Sequence, residues 1–214
     1  MEYHARTTQD THTTLESERT TPPPTPRKEE SFFGELARFA IIAIVVVFPI
    51  RVFIAQPFVV AGASMEPTFE NGEYLIVDQL TYRLDTPERG DVVIFRYPRD
   101  PSKFFIKRVI GLPGETVTIS GTEVTVTGDA HPEGYILDEE YLPVVHEDTF
   151  LTVSLSADEY FVLGDNRDAS SDSRTWGVLK RDLIVGRALL RLLPLSTIDV
   201  LPGKYTPDAP TMSL

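Results

Sequence analysis

No cysteine occurs in this chain of 214 residues. Disulfides, thiolate metal sites and a cysteine nucleophile are therefore excluded together, while the compartment stays open. Histidine is almost as scarce, with four in all, and His4 and His12 lie in a polar tail. His131 falls in Asp129-Ala130-His131-Pro132, which reads as a turn, and His146 precedes Glu147 and Asp148. Both read as surface residues rather than as the base of a Ser/His/Asp triad. No His/Glu pair has ligand spacing, so neither a metal nor a cofactor is expected. Basic residues are also few, 20 against 32 acidic ones for a net charge of −12. That balance argues against nucleic acid, whose binding rests on Lys and Arg neutralising phosphates.

Long apolar runs are limited to one. Phe39 to Ile50 is uninterrupted for 12 residues, short of the ~20 that a membrane-crossing helix needs. Counted from Leu36 to Ala55 the run reaches 20 residues, with Arg38 and Arg51 near its ends, where long cationic side chains can snorkel. The segment 36–56 is predicted to be a transmembrane helix. A buried core helix is the alternative, but the run lacks the polar face of a soluble helix. Ala61-Gly62-Ala63 after an apolar stretch also resembles a leader cleavage site, against which stands the long acidic region before it. Arg27, Lys28 and Arg38 precede or open the run, and no Lys or Arg lies between Pro57 and Tyr82. The positive-inside rule then puts the amino terminus in the cytoplasm and the rest on the outer face. Residues 1–35, rich in Thr, Pro and charge, read as a disordered cytoplasmic tail.

Beyond residue 56 the pattern is of short strands broken by Gly and Pro, at 74–77, 91–97, 104–111, 115–119, 123–127, 150–153, 160–163 and 183–193. The prediction is a mainly β catalytic domain over 57–200, with a small β insertion at 115–160 and a C-terminal tail at 201–214.

With His and Cys removed, the remaining route to an activated serine is a neutral amine. A free lysine, with a pKa near 10.4, is deprotonated only about once in 2,500 at neutral pH, and burial in apolar surroundings raises that fraction. Lys107 fits, because strand alternation in Phe104-Phe105-Ile106-Lys107-Arg108-Val109-Ile110 puts Phe105 and Val109 on its face and Arg108 on the other. Lys103 is in phase too, but borders a turn and reads as solvated. A strand lysine is more often an exposed edge residue, and that alternative stands. The serine candidate is Ser64, in Gly62-Ala63-Ser64-Met65-Glu66-Pro67-Thr68, nine residues past Ala55. Small residues before it permit close backbone approach, although the segment also reads as plain turn. A third polar segment, Gly164 to Arg174, holds three Asp, two Arg and three Ser. It reads either as a solvated loop or as one that folds back to fix other polar groups.

In order, these segments resemble the bacterial type I signal peptidases (leader peptidases). The likeness rests on Ser64-Met65-Glu66-Pro67-Thr68 after an apolar segment, Asp91-Val92-Val93, Lys107-Arg108-Val109-Ile110-Gly111-Leu112-Pro113-Gly114-Glu115, Phe161-Val162-Leu163-Gly164-Asp165-Asn166-Arg167 and Ser170 to Arg174. The resemblance implies a signal-peptidase-like antiparallel β ectodomain behind one N-terminal transmembrane helix, anchored in the lipid bilayer of the cell membrane. It implies an endopeptidase that cuts signal peptides from preproteins after small residues, with Ser64 as nucleophile and Lys107 as general base. By the same resemblance, Ser170 hydrogen-bonds and orients the lysine, while Asp172, Arg174, Arg108 and Asp165 brace the site. The oxyanion falls to the Ser64 amide and a second donor; some members use a serine where this chain has Gly62, so Gly62 is named with Ser64 at the oxyanion while the second donor stays open. Substrate would bind as an added strand along Phe58, Val60, Ala61 and Ala63, and along Phe104, Phe105 and Ile106. A self-cleaving Ser/Lys repressor of similar fold, or an inactive anchored peptide-binding module, are the competing readings.

Overall fold

The computed structural model describes residues 32–47, 55–142 and 149–205. Helix α1, Phe32–Ile42, continues as π-helix over Ala43–Val47. Its large apolar side chains are exposed. Helical structure thus begins inside the segment predicted to be a disordered tail. Among the described residues no helix is long and apolar enough to cross a membrane. The remainder of 36–56 lies outside the described residues up to Ala55, where strand β1 (Ala55–Val59) begins. The far end of the predicted transmembrane segment is therefore strand: Ala55 and Gln56 pair with Asp78 and Val77 of β2 (Tyr74–Asp78).

The remaining strands are β3 (Val92–Tyr97), β4 (Asp100–Gly111), β5 (Thr116–Ser120), β6 (Glu123–Gly128), β7 (His131–Ile136), β8 (Phe150–Ser154), β9 (Glu159–Leu163), β10 (Leu179–Lys180), β11 (Ile184–Leu193) and β12 (Asp199–Val200). Among the described residues two short α-helices, α2 (Thr81–Leu84) and α3 (Ser173–Trp176), and 3-10 turns at Arg167–Ala169, Arg181–Leu183 and Leu195–Thr197 complete the set. All pairings are antiparallel. The larger sheet runs β1-β2-β11-β3-β4-β9-β10, with β12 on β11, and the smaller runs β7-β6-β5-β8. Every predicted strand is present within a few residues. His131 opens β7 rather than sitting in a turn; the turn is Asp129-Ala130, and the imidazole packs on the Tyr135 ring at 4.8 Å. His146 lies outside the described residues.

Alternation along β4 divides its side chains between cores as the sequence predicts. Phe105 and Val109 join Val93, Phe95, Tyr160, Val162 and Trp176, while Ile106 packs with Val60, Met65, Phe69 and Leu75. Each fully buried aliphatic or aromatic side chain contributes about 1.5–3 kcal/mol, so register is firmly set. The larger sheet curls on itself. Phe58 of β1 and Phe104 of β4 are separated by three strands in pairing order, yet their rings meet at 5.2 Å. β9 pairs with β4 only from Arg108 to Gly111, so among the described residues no strand pairs the outer edge of 100–107. β1 is likewise an edge strand, which is why Pro57 is tolerated there.

Candidate active site

The loop carrying Ser64 is anchored by apolar side chains on its far side. Met65 and Phe69 are fully buried, and the Phe69 amide donates to the Met65 carbonyl at 2.9 Å. Thr68 Oγ1 donates to Asp165 Oδ2 at 2.6 Å, and the Asn166 amide donates to the Ser64 carbonyl at 3.1 Å. The loop is held from three directions with the Ser64 hydroxyl left facing β4.

Across from it stands Lys107, 3% exposed. Its Nζ lies 2.7 Å from Ser64 Oγ, donates to the Ile106 carbonyl at 2.7 Å, and sits 5.5 Å from the Phe105 ring centre. Burial disfavours the ammonium and brings the pKa down from 10.5 to about 8; the carboxylates of Asp172 and Asp165 pull the other way, and Arg174 adds to the lowering. When the amine is neutral, the Ser64 hydroxyl can donate to its lone pair. Lys103, by contrast, is 66% exposed and pairs with Asp100 at 3.0 Å.

The polar segment 164–174 folds inward. Asp165, Arg167, Asp172 and Ser173 are all buried. Asp165 takes one edge of the Arg108 guanidinium, from Nε at 2.9 Å and Nη2 at 2.6 Å, with each side chain 1% exposed. Asp172 accepts from Arg174 Nε at 2.8 Å and Nη2 at 2.7 Å, and from the Gly164 amide at 3.1 Å. Arg174 in turn donates to the Arg167 carbonyl at 2.8 Å. Such bidentate pairs hold planes as well as distances.

Two expectations for the site need correction. Ser170 Oγ is buried and has no hydrogen-bond partner among the described residues, so it does not hold Lys107. It is packed instead against Gly164, where an added Cβ would stand 2.2 Å from Ser170 Oγ and 2.4 Å from the Ser64 carbonyl oxygen. Gly62 is the second case. At φ +94° its amide turns to Asn71 Oδ1, 2.9 Å away, and is therefore committed. The Ser64 amide donates no hydrogen bond among the described residues, which leaves it available to an oxyanion.

A cleft of about 470 Å³ joins these groups. Phe58, Val60, Ala61 and Ala63 line it from the β1 side and Phe104, Phe105 and Ile106 from β4, with Ser64 and Lys107 between them. Leu75, Ile94 and Ala169 add apolar surface. Residues missed in the sequence include Glu139, which pairs with buried Arg167 and accepts from Tyr141 at 2.6 Å. Tyr141 also lies under the Arg108 guanidinium at 4.0 Å. Asn71 and Arg191 were missed too; the latter donates to the Thr68 carbonyl at 2.9 Å and to Glu73. Glu139 gave no signal, being one acid in a run that reads as solvated.

Residues 33–193 match the family model described as signal peptidase, peptidase S26. A probable signal peptidase I-2 of Synechocystis is 36% identical over 86% of this chain and 84% of its own length. Signal peptidase I of Leptolyngbya laminosa is 36% identical over 77% of this chain and 82% of its own. Signal peptidase I P of Bacillus subtilis subsp. natto is 33% identical, covering 80% of this chain and 95% of its own.

Proposed function

This chain belongs to the signal peptidase family, peptidase S26, and on that premise we propose that it removes signal peptides from exported preproteins with Ser64 as nucleophile and Lys107 as general base. The observation that carries the reading is the 2.7 Å separation of Lys107 Nζ from Ser64 Oγ inside an apolar wall. With a pKa of about 8, roughly one Lys107 in ten is neutral at pH 7, against about one in 3,000 for an amine at 10.5.

In the proposed reaction Ser64 Oγ attacks the scissile carbonyl as its proton passes to Nζ, and the ammonium then gives that proton to the leaving amine. The oxyanion is met by the Ser64 amide. A water deprotonated by the same amine releases the acyl group. The substrate backbone pairs with the open edge of 100–107 and with β1. Small side chains before the cut fit between Ala61, Ala63 and Ile106. The buried pairs Arg108–Asp165 and Arg174–Asp172 brace the dyad from behind. The apolar segment from Leu36 up to the start of β1 at Ala55 anchors the enzyme in the cell membrane, with its amino terminus inside and the catalytic domain on the outer face.

The test is preprotein cleavage by the full chain in detergent, read by sequencing the new amino terminus. Ser64→Ala should still bind a preprotein and should not cut it. Cleavage by Ser64→Ala would refute the mechanism.

A further inference from the structure

Residues 201–214 were predicted to be a tail, yet the described part, 201–205, continues from β12 and folds back over the far side of the Ser64 loop. β12 pairs with β11 through Asp199 and Val200, and the Leu201 amide donates to the Leu189 carbonyl at 2.7 Å. Pro202 is buried, and the Tyr205 ring meets that of Tyr141 at 5.0 Å. All of this lies beyond the residues 33–193 that the family model matches.

At its centre Gly203 touches both halves of the site at once. Its carbonyl accepts from Arg108 Nη1, on the residue next to Lys107. Its Cα faces Thr68, whose hydroxyl is bonded to Asp165, the partner of Arg108. A Cβ at Gly203 would stand 2.6 Å from Thr68 Cγ2, 3.1 Å from Phe69 Cε2 and 3.4 Å from Val92 Cγ2. At φ +70° the position also favours glycine. The closest collision is thus with the residue that ends the Ser64 loop, four positions after the hydroxyl.

We propose that residues 199–205 form a strap that positions the dyad, with Gly203 as a positioning residue that sets the Ser64 loop against β4 through Thr68. The inference rests on the reading of Ser64 and Lys107 given above. Pushing Thr68 outward pulls its hydroxyl from Asp165 and tilts the loop, lengthening the approach of Ser64 to Lys107. Substrate pairing along β1 and β4 is not involved, so the effect belongs in kcat rather than KM.

A double-mutant cycle tests it. Gly203→Ala is made in the native chain and in a Thr68→Ser chain, which lacks the colliding methyl and keeps the hydroxyl. Cleavage of an internally quenched peptide with an Ala-x-Ala site is followed in detergent, after showing that the native chain cuts it and Ser64→Ala does not. In the native background kcat should fall about 10- to 100-fold, with KM within about twofold. In the Thr68→Ser background, kcat should stay within about threefold of that parent. Gly203→Asn repeats the cycle with the same Cβ and a residue that tolerates left-handed backbone, and Trp176 fluorescence reports the fold. Equal losses in both backgrounds, no loss, a loss in KM alone, or unfolding of both substitutions overturns the strap. Failure of the native chain to show Ser64-dependent cleavage instead overturns the function proposed for the site.

Discussion

A lysine whose charge is disfavoured by burial costs the protein stability, and Lys107→Met should give that stability back. The amine is 3% exposed and titrates near 8 rather than 10.5. At about 1.4 kcal/mol per tenfold in proton affinity, this amounts to about 3 kcal/mol of folding free energy. The sign follows from proton binding. Between pH 8 and 10.5 the unfolded chain holds the proton that the folded chain has released, so native stability rises with pH through that window. Below 8 both states are charged and the full penalty applies. Lys107→Met removes the penalty, so at pH 7 the variant should be more stable than the native chain by about 3 kcal/mol, offset by a pH-independent term for the altered packing. That advantage should shrink by about 3 kcal/mol as pH rises from 8 to 10.5. Tyr82 and Tyr141, whose phenols burial pushes far up, also titrate differently in the two states, but they are common to both proteins and cancel. The assay is denaturant unfolding in detergent, followed by fluorescence of Trp176, which packs on Phe95 and Tyr97. Lys107→Met should also lack cleavage activity. A stability difference that stays constant from pH 7 to 10.5 would refute the reasoning.

Two further outcomes follow from the groups behind the dyad. Asp165→Asn leaves the Arg108 guanidinium buried without its counter-charge, and unfolding measurements should show a loss of about 3–5 kcal/mol. Asn71→Ala frees the Gly62 amide and loosens the turn before Ser64, so kcat should drop about tenfold; Asn71→Asp, which keeps the accepting oxygen, should retain most of it.

How far the sequence reached depends on whether a residue's environment is local. β4 was legible because its apolar residues alternate around Lys107 and Arg108, and the pleat converts that spacing into two faces. β1 was not, because Ala55-Gln56-Pro57 continues an apolar run and contains a proline that only an edge position tolerates. β7 was hidden by His131-Pro132-Glu133-Gly134, a string of turn formers held extended by β6. The segment 164–174 also read as solvated, since Asp165 and Arg167 are neutralised by partners far away in sequence. Arg108 is 57 residues from Asp165, and Glu139 is 28 from Arg167. Ser64 and Lys107 are 43 apart, so each could be proposed from its own surroundings while their meeting needed the curl of the sheet. The strap at 199–205 left no mark at all, because its role rests on a carbonyl and on the absence of a side chain.

The central claim is that one buried amine serves as the base, and the pH dependence of kcat/KM for the quenched peptide tests it most directly. The rate should be level above about pH 9, half-maximal near 8, and should fall about tenfold per pH unit below that as Lys107 takes up its proton. A rate that is unchanged between pH 6 and 8 would contradict the account.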